Sequence, residues 1–211
     1  MFVLGIAGGS GSGKTTIVDR ILRGPVGDAV TLVPHDAYYL SRSDMPAAVR
    51  ASDNWDHPDA LDNVLFCRHL DELKAGRAVE RPVYNFSTHS RSTETVPLLP
   101  RPVLLVDGIL LFSIPEIRRR LDLKIFVDTP ADLRIVRRLV RDVHERGRSV
   151  ESVTDQYQHT VRPMHDQFVE PTKKFADAVI PWEFRNDEAI RLIEARIREH
   201  IPDEEEGEGL A

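Results

Sequence analysis

The sequence predicts an α/β fold built on a parallel sheet, and three observations support this prediction. Apolar, β-branched runs of strand length recur along the 211 residues, at 2–7, 30–34, 102–106, 123–127 and 178–181. Longer amphipathic patterns typical of helices separate most of these runs. The length fits one domain with insertions. Alternating strands and helices of this kind favour five parallel strands flanked by helices.

Most of the negative charge lies at the end of the chain. The formal net charge is −6, and five acidic residues fall within 202–211. We therefore expect a single domain over 1–201 and a disordered acidic tail. A nearly neutral domain argues against a nucleic-acid partner. There is no apolar stretch of the roughly 20 residues that a membrane helix needs and no basic leader, so we expect a cytoplasmic protein without a membrane partner.

A phosphate-binding loop follows the first apolar run. In "GGSGSGKTT", Gly8, Gly13, Lys14 and Thr15 match G-x-x-x-x-G-K-[ST], with a strand before and a helix after. The backbone amides can surround phosphate oxygens, the lysine neutralises charge, and Thr15 can bind Mg²⁺. The predicted nucleotide-binding residues are Gly8, Gly9, Ser10, Gly11, Ser12, Gly13, Lys14, Thr15 and Thr16.

Two aspartates follow apolar strands. Asp107 ends "RPVLLVD" and resembles a Walker B metal ligand, although a structural turn at Asp107-Gly108 is an alternative. Asp36, in "LVPHDAYYL", is expected beside the phosphate loop because adjacent parallel strands end at the same edge of a sheet. It is a candidate general base or metal ligand, against the alternative of a turn aspartate.

Asp56 in "NWDHPDALD" allows two interpretations. Its carboxylate could accept two hydrogen bonds from a vicinal diol such as that of ribose. Equally, Asp56 or His57 could cap a helix that begins at Pro58.

An arginine-rich helix is predicted after Pro130, with Thr129 as its cap. At about 100° per residue, one face carries Leu133, Val136, Val140 and Val143, and the other carries Arg134, Arg137, Arg138 and Arg141. Arg146 and Arg148 flank Gly147 just beyond. The cluster predicts a closing lid over about 141–160, although arginines often only solvate a surface.

A phosphate-binding loop is shared by GTPases, ATP-driven machines and small-molecule kinases. The N-K-x-D guanine signature of GTPases is not in the sequence. Mechanical ATPases normally need a longer chain. These considerations favour a kinase, which must hold an acceptor hydroxyl in line with the γ-phosphate.

Six stretches together resemble the uridine/cytidine kinases, the pyrimidine ribonucleoside kinases of the P-loop class. They are "GIAGGSGSGKTT", "HDAYY", "NWDHPDALD", "PVYNFSTHSR", "VDGILL" and "RRLVRDVHERGRSVESVTDQY", in order between about residues 2 and 181. The resemblance implies a P-loop kinase fold with an inserted β-hairpin at about 80–99 and a helical lid. It also implies transfer of the γ-phosphoryl group of ATP or GTP, with Mg²⁺, to the 5′-hydroxyl of uridine or cytidine. UMP and CMP would be formed in pyrimidine salvage, commonly by a homotetramer.

The resemblance also assigns site residues. The general base matches Asp36, with Tyr39 and Trp55 near the nucleoside, and the ribose-binding aspartate matches Asp56. Lid and ribose contacts match Arg138, Arg141, Arg146, Arg148 and Gln156, and base recognition matches Tyr84, Phe86 and His89. An imidazole can donate to a uracil oxygen or, in its other tautomer, accept from a cytosine amine.

Four departures from the family pattern keep alternatives open. Asp107 stands where the family has glutamate, Ala37 replaces a serine, Trp55 replaces Tyr or Phe, and "PWEFRN" at 181–186 replaces an arginine-glycine loop. The alternatives are a kinase for another small alcohol, such as ribulose 5-phosphate or nicotinamide riboside, and a nucleotide-sensing module without catalysis.

Overall fold

A five-stranded parallel sheet forms the centre of the molecule. The computed structural model describes residues 1–42, 45–46, 53–86 and 88–202, so the predicted acidic tail from 203 onwards lies outside the described residues. The sheet strands are β1 (Phe2–Ala7), β2 (Val30–Pro34), β5 (Val103–Asp107), β6 (Leu123–Asp128) and β7 (Ala178–Pro181). Their spatial order is β2-β5-β1-β6-β7. The five predicted strands are confirmed, with end shifts of one residue in β5 and β6.

Helices cover both faces of the sheet. They are α1 (Lys14–Arg23), α2 (Asn63–Lys74), α3 (Pro115–Arg118), α4 (Ala131–Arg146), α5 (Val150–Gln156), α6 (Arg162–Met164) and α7 (Asp187–Arg198). Short 3₁₀ segments are Gly27–Ala29, His35–Tyr38, Pro58–Ala60 and Glu170–Phe175, and π-helical turns at Tyr157–Val161 and His165–Val169 flank α6. Among the described residues, no helix combines the length and apolar character required to span a membrane.

Alternate residues of the strands enter two separate hydrophobic layers. On one face, Val3 and Leu104 pack with Phe66 of α2. On the other, Leu4 and Leu105 pack with residues of α1 and α7. Burial of every residue of β1 fits a parallel sheet covered on both sides, which explains its continuous apolar sequence.

A separate antiparallel hairpin, β3 (Val79–Asn85) and β4 (Ser90–Leu98), lies beside the sheet, with a register shift between Pro82 and Tyr84. Arg91 fastens this hairpin to the turn that follows β2. Its guanidinium donates to the carbonyl oxygens of Tyr39 (2.6 Å) and Tyr38 (2.8 Å). It also pairs with Asp62 at 3.3 Å. The hairpin is therefore anchored to the segment that carries Asp36.

The strand order corrects one expectation about Asp36. Strand β2 does not neighbour β1, because β5 lies between them and pairs with both. Ile6 of β1 and Pro34 of β2 both stand in register with Asp107. Asp36 still reaches the same edge as the phosphate loop, since all three strands are parallel, but Asp107 occupies the position between them.

The predicted cap of α4 is wrong. No side-chain cap is present at its N-terminus among the described residues. The Thr129 hydroxyl instead donates to the carbonyl oxygens of Ser12 (2.9 Å) and Trp182 (3.3 Å). Thr129 therefore joins the phosphate loop to the segment after β7.

Helix α4 has the predicted apolar and charged faces, but its charged face points towards the interior of the protein. Arg134, Arg138 and Asp142 are its buried residues, whereas Val136 and Val140 are 58% and 55% exposed. Apolar residues normally face the core. Here the neighbouring surface is a polar cavity whose hydroxyl, amide and carbonyl groups accept hydrogen bonds from arginine.

Leu104 tests the contribution of the central strand to stability. Its side chain is fully buried, so Leu104→Ala should lower the free energy of unfolding by about 2–5 kcal/mol. Urea unfolding followed by circular dichroism measures the change. Leu192→Ala is the matched control, because Leu192 is 72% exposed. An equal loss in both variants would contradict the assignment of the core to this face of β5.

Candidate active site

One cavity of about 410 Å³ opens at the carboxyl edge of β1, β5 and β2. It is lined by Ser10, Gly11, Gly13, Lys14, Thr15, Thr16, Asp36, Tyr39, Trp55, Asp56, Tyr84, Phe86, His89, Asp107, Ile109, Arg137, Arg138, Arg141, Glu145, Arg146, Arg148 and Gln156. The phosphate loop lies at one end, and aromatic side chains lie at the other.

The phosphate loop is held in a shape that requires glycine. Gly11 and Gly13 have φ of 79° and 95°, values that favour glycine. A Cβ on Gly11 would overlap the carbonyl oxygen of Arg134, and one on Gly13 would overlap the indole of Trp182. The loop is therefore packed tightly from behind, and its open side faces the cavity.

Lys14 lies within this loop and bonds to its own backbone. Its ammonium group donates to the carbonyl oxygens of Gly8 (2.9 Å) and Gly9 (3.1 Å). Burial lowers the pKa of Lys14, while the carboxylates of Asp107 and Asp36 act in the opposite direction. The group is a buried cation placed to meet an anion.

Asp36 and Asp107 face each other across this end of the cavity. Burial, followed by the charge of Asp36, raises the pKa of Asp107 to about 6, against the attraction of Lys14. Each carboxyl has a buried Oδ1 without a hydrogen-bond partner among the described residues. Two orphaned oxygens beside Thr15 fit Mg²⁺, which takes oxygen ligands and usually combines one or two carboxylates with substrate phosphates and water. The described residues contain no cluster of three His, Cys, Asp or Glu side chains able to hold a metal.

Aromatic rings enclose the opposite end of the cavity. Trp55 and His89 are stacked, with ring centroids 5.0 Å apart. Tyr84 lies 5.1 Å from Tyr39 and 5.2 Å from Phe86. The ring nitrogens of His89 face the Tyr84 hydroxyl and a guanidinium nitrogen of Arg148, each at 3.5 Å. We call the five ring-bearing residues the aromatic wall: Tyr39, Trp55, Tyr84, Phe86 and His89.

The structure separates the two interpretations of Asp56. His57, not Asp56, caps the turn at Pro58–Ala60, since its Nδ1 accepts from the amide of Asp59. Burial raises the pKa of Asp56, and Arg138 opposes this shift. The hydroxyl of Thr160 donates to Asp56 at 3.5 Å, and the carboxylate lines the cavity. Asp56 is therefore available to a ligand.

Arg138 and Arg148 connect the two ends of the cavity. Arg138 donates to the hydroxyl of Ser10 and to the side-chain oxygen of Gln156, both at 2.7 Å. Arg148 donates to the same oxygen at 2.7 Å. The phosphate loop, α4 and α5 are thus joined by one hydrogen-bonded chain that also reaches His89.

Comparison with known proteins agrees with this geometry. Residues 3–188 match the Phosphoribulokinase / Uridine kinase family. The chain belongs to this family. A uridine kinase of Chloroflexus aurantiacus is 53% identical over 195 residues, covering 92% of this chain and 93% of the relative. A uridine kinase of Clostridium perfringens is 47% identical over 196 residues, covering 93% and 94%. The resemblance recognised in the sequence is confirmed.

A solved structure supports the P-loop kinase fold alone. The phosphoribulokinase of Rhodobacter spheroides superposes with a TM-score of 0.61 at 18% identity, covering 85% of this chain and 69% of that chain. The predicted fold class is confirmed by this likeness and by the parallel sheet.

Most site residues predicted for this family member line the cavity, and their roles remain predictions. Three predicted residues of the phosphate loop do not line the cavity: Gly8, Gly9 and Ser12. No site role was predicted for Ile109 or Glu145, which line the cavity and fall within the stretches that carry the family resemblance. Nor was one predicted for Arg137, which lines the cavity and donates to the carbonyl oxygens of Trp182 (3.0 Å) and Glu183 (2.8 Å).

Two further residues support the loop from behind. A Cβ on Gly9 would collide with the guanidinium of Arg134 and come within 3.0 Å of the ring of His165. Burial, reinforced by Arg134, lowers the pKa of His165 to about 4. At neutral pH this ring is therefore uncharged and adds no second cation beside Arg134. Neither residue belongs to a recognisable loop motif, so only the fold reveals them.

The raised pKa of Asp107 predicts a cost to stability. The pKa of its carboxyl in the folded protein exceeds its ordinary value near 4, so the free energy of unfolding falls as pH rises from about 4 to about 6. Without nucleotide, Asp107→Asn should raise the free energy of unfolding at pH 7.5 by about 3 kcal/mol. The gain should vanish near pH 4.

Urea unfolding at the two pH values measures this gain. Asp132→Asn, an exposed residue on α4, is the control and should show little change at either pH. A variant less stable than the wild type at pH 7.5 would contradict the prediction, because attraction to Lys14 would then outweigh the cost of burial.

Proposed function

We propose that this chain transfers the γ-phosphoryl group of ATP to the 5′-hydroxyl of uridine and cytidine, forming UMP and CMP. The observation that carries the proposal is the joining, in one cavity, of a phosphate loop and two carboxylates with an aromatic wall and a buried Asp56. The uridine kinases among its relatives support the same acceptor class.

On the donor side, the loop amides and Lys14 hold the β- and γ-phosphates. Thr15 and Asp107 would hold Mg²⁺ directly or through water, together with Asp36. The ion would neutralise charge on the phosphate oxygens. Since Lys14 already bonds to the carbonyls of Gly8 and Gly9, it is placed in the loop before any phosphate arrives.

On the acceptor side, Asp56 accepts hydrogen bonds from the ribose 2′- and 3′-hydroxyls, and Tyr39 lies beside the sugar. The pyrimidine contacts Tyr84, Phe86 and His89. This arrangement points the 5′-hydroxyl towards Asp36, which accepts its proton as the phosphoryl group moves. Catalysis then depends mainly on positioning and on stabilisation of charge.

The lid closes over the donor in this proposal. Gly147 ends α4 in the left-handed conformation, with φ of 64°, and α5 begins three residues later. Closure of residues 141–160 would bring Arg141 and Arg146 onto the transferring phosphoryl group and exclude water.

The proposal also covers the identity of the phosphoryl donor and the oligomeric state of the protein. We propose ATP, with GTP as a second donor, and the altered segment at 181–186 makes a direct comparison of the two worthwhile. The resemblance supports a single domain over 1–201 working in the cytoplasm as a homotetramer. Light scattering would then give four times the 23.9 kDa mass of the chain.

A sugar-phosphate acceptor fits the cavity less well. It has no planar base to pack against the ring faces of the aromatic wall. Ribulose 5-phosphate and nicotinamide riboside are therefore the comparison substrates in the assay. Tight nucleotide binding without turnover of any acceptor would instead indicate a nucleotide-sensing protein.

Asp36→Asn tests the proposed base. We expect kcat for uridine with MgATP to fall by about 10²–10⁴-fold, with the KM for uridine changed less than about threefold, because the amide keeps the shape but cannot take the proton. A coupled assay for ADP measures both constants, with Asp132→Asn as control. A large rise in KM at unchanged kcat would make Asp36 a ligand and not a base. Absence of uridine and cytidine turnover in the wild type would reject the proposed function.

His89→Tyr tests reading of the base. The imidazole would serve the two bases through its two tautomers, and we expect its replacement to lower kcat/KM for cytidine at least about tenfold more than kcat/KM for uridine. Competition between the two nucleosides measures the ratio directly. His159→Tyr, at a histidine whose side chain is 70% exposed, is the control and should leave the ratio unchanged. Equal losses on both nucleosides would mean that His89 closes the pocket without reading the base.

A further inference from the structure

A single buried carboxylate lies among four arginines at the mouth of the cavity. We call Arg138, Arg141, Arg146 and Arg148 the arginine cluster. The side chain of Asp142 is fully buried between them. Its oxygens lie 2.8 Å from Arg141, 3.3 Å from Arg146, 3.5 Å from Arg148 and 3.6 Å from Arg138.

The backbone of Asp142 fixes the same region. Its carbonyl oxygen accepts hydrogen bonds from the amides of Gly147 and Arg148 (3.1 Å). The end of α4 at Gly147 is thus closed against the backbone of the same residue whose side chain lies among the arginine cluster. Asp142 falls within a stretch that carries the family resemblance, but no site role was predicted for it, because an aspartate among arginines on a helix usually makes only surface ion pairs.

The charge balance of the cluster requires an anion. Burial opposes ionisation of Asp142, but Arg138, Arg141 and Arg146 outweigh it and hold the pKa of Asp142 below its usual range. Burial and the neighbouring arginines also lower the pKa of Arg146, and for a guanidinium a lowered pKa means that the charged form is disfavoured. Asp56 also attracts Arg138, but Asp142 is the carboxylate that contacts all four arginines. Without it the like charges would repel one another and move apart towards solvent.

We propose that Asp142 is a positioning residue, which holds the arginine cluster as one preassembled unit, so that the guanidinium groups keep their mutual arrangement when the lid brings them to the transferring phosphoryl group. It does not itself touch either substrate. This inference rests on the proposed phosphoryl transfer. Preorganised charge accelerates the reaction because no reorganisation is needed in the transition state.

This role predicts a separation of kcat from KM. Asp142→Asn makes the cavity more positive but less ordered. We therefore expect kcat to fall at least about tenfold, which is less than the roughly 10²–10³-fold loss seen when a charge-stabilising donor is itself removed, while the KM for MgATP stays the same or falls. Inorganic pyrophosphate, used as an inhibitor, should bind about threefold more tightly because the cluster lacks its internal anion.

A purely structural role gives the opposite pattern. If Asp142 only supported the fold, its loss would deform the cavity, raise the KM for MgATP and weaken pyrophosphate. That result, or a kcat within twofold of the wild type, would overturn the inference. Asp132→Asn, exposed in the first turn of the same helix, is the control and should leave all three quantities unchanged.

A second variant keeps the inference testable if Asp142→Asn does not fold. Removal of one arginine restores the charge balance, so Asp142→Asn/Arg146→Met should recover a cooperative thermal transition by circular dichroism. Failure of this rescue would overturn the inference. Where Asp142→Asn folds, its effect on kcat should be smaller in the Arg146→Met background, because residues acting together are not additive.

The experiment separates this inference from the proposed function. Turnover of uridine or cytidine by the wild type is measured first and tests the function alone. If the wild type gave no turnover, pyrophosphate binding to the wild type and Asp142→Asn by calorimetry would still test the position of the arginine cluster. Equal or weaker binding by the variant would then reject the role of Asp142.

Discussion

The cavity depends on one electrostatic constraint, which is that its buried charged groups are not fully paired within the protein. Lys14, Asp36 and Asp107 meet where three parallel strands end, with orphaned carboxyl oxygens on both aspartates. Burying such groups costs free energy unless they find partners. A metal-bound polyphosphate would supply both the anionic partner for lysine and arginine and the cation for the carboxylates.

The same constraint explains why α4 is oriented against the usual rule. A helix with valines on one face would normally bury them, yet Val136 and Val140 are exposed while Arg138 and Asp142 are buried. The inward arginines find Ser10, Gln156 and Asp142 as partners. Hydrogen bonds to charged groups contribute more than neutral ones, so a polar cavity wall can hold a helix face that a hydrophobic core could not.

A few contacts connect the aromatic wall to the phosphate loop. Arg91 ties the hairpin to the carbonyl groups of Tyr38 and Tyr39, next to Asp36. Arg138 and Arg148 share Gln156, and Arg148 continues to His89. The hairpin, which carries Tyr84, Phe86 and His89 of the aromatic wall, is thus fixed relative to both the candidate base and the phosphate loop. A nucleoside bound against the wall and a nucleotide bound to the loop would share this framework.

The sequence by itself determined the strands, the phosphate loop and the identity of most cavity residues, because these depend on local patterns: apolar runs, glycine spacing, and motifs shared with a known family. Only the tertiary structure decided that β5 separates β1 from β2, that Thr129 bonds to the loop and leaves α4 uncapped, and that His57 caps the turn beside Asp56. It also decided that Asp142 lies at the centre of four arginines. Each of these depends on which groups approach one another across long separations in the chain, and no local propensity encodes the competition among partners that such an approach creates.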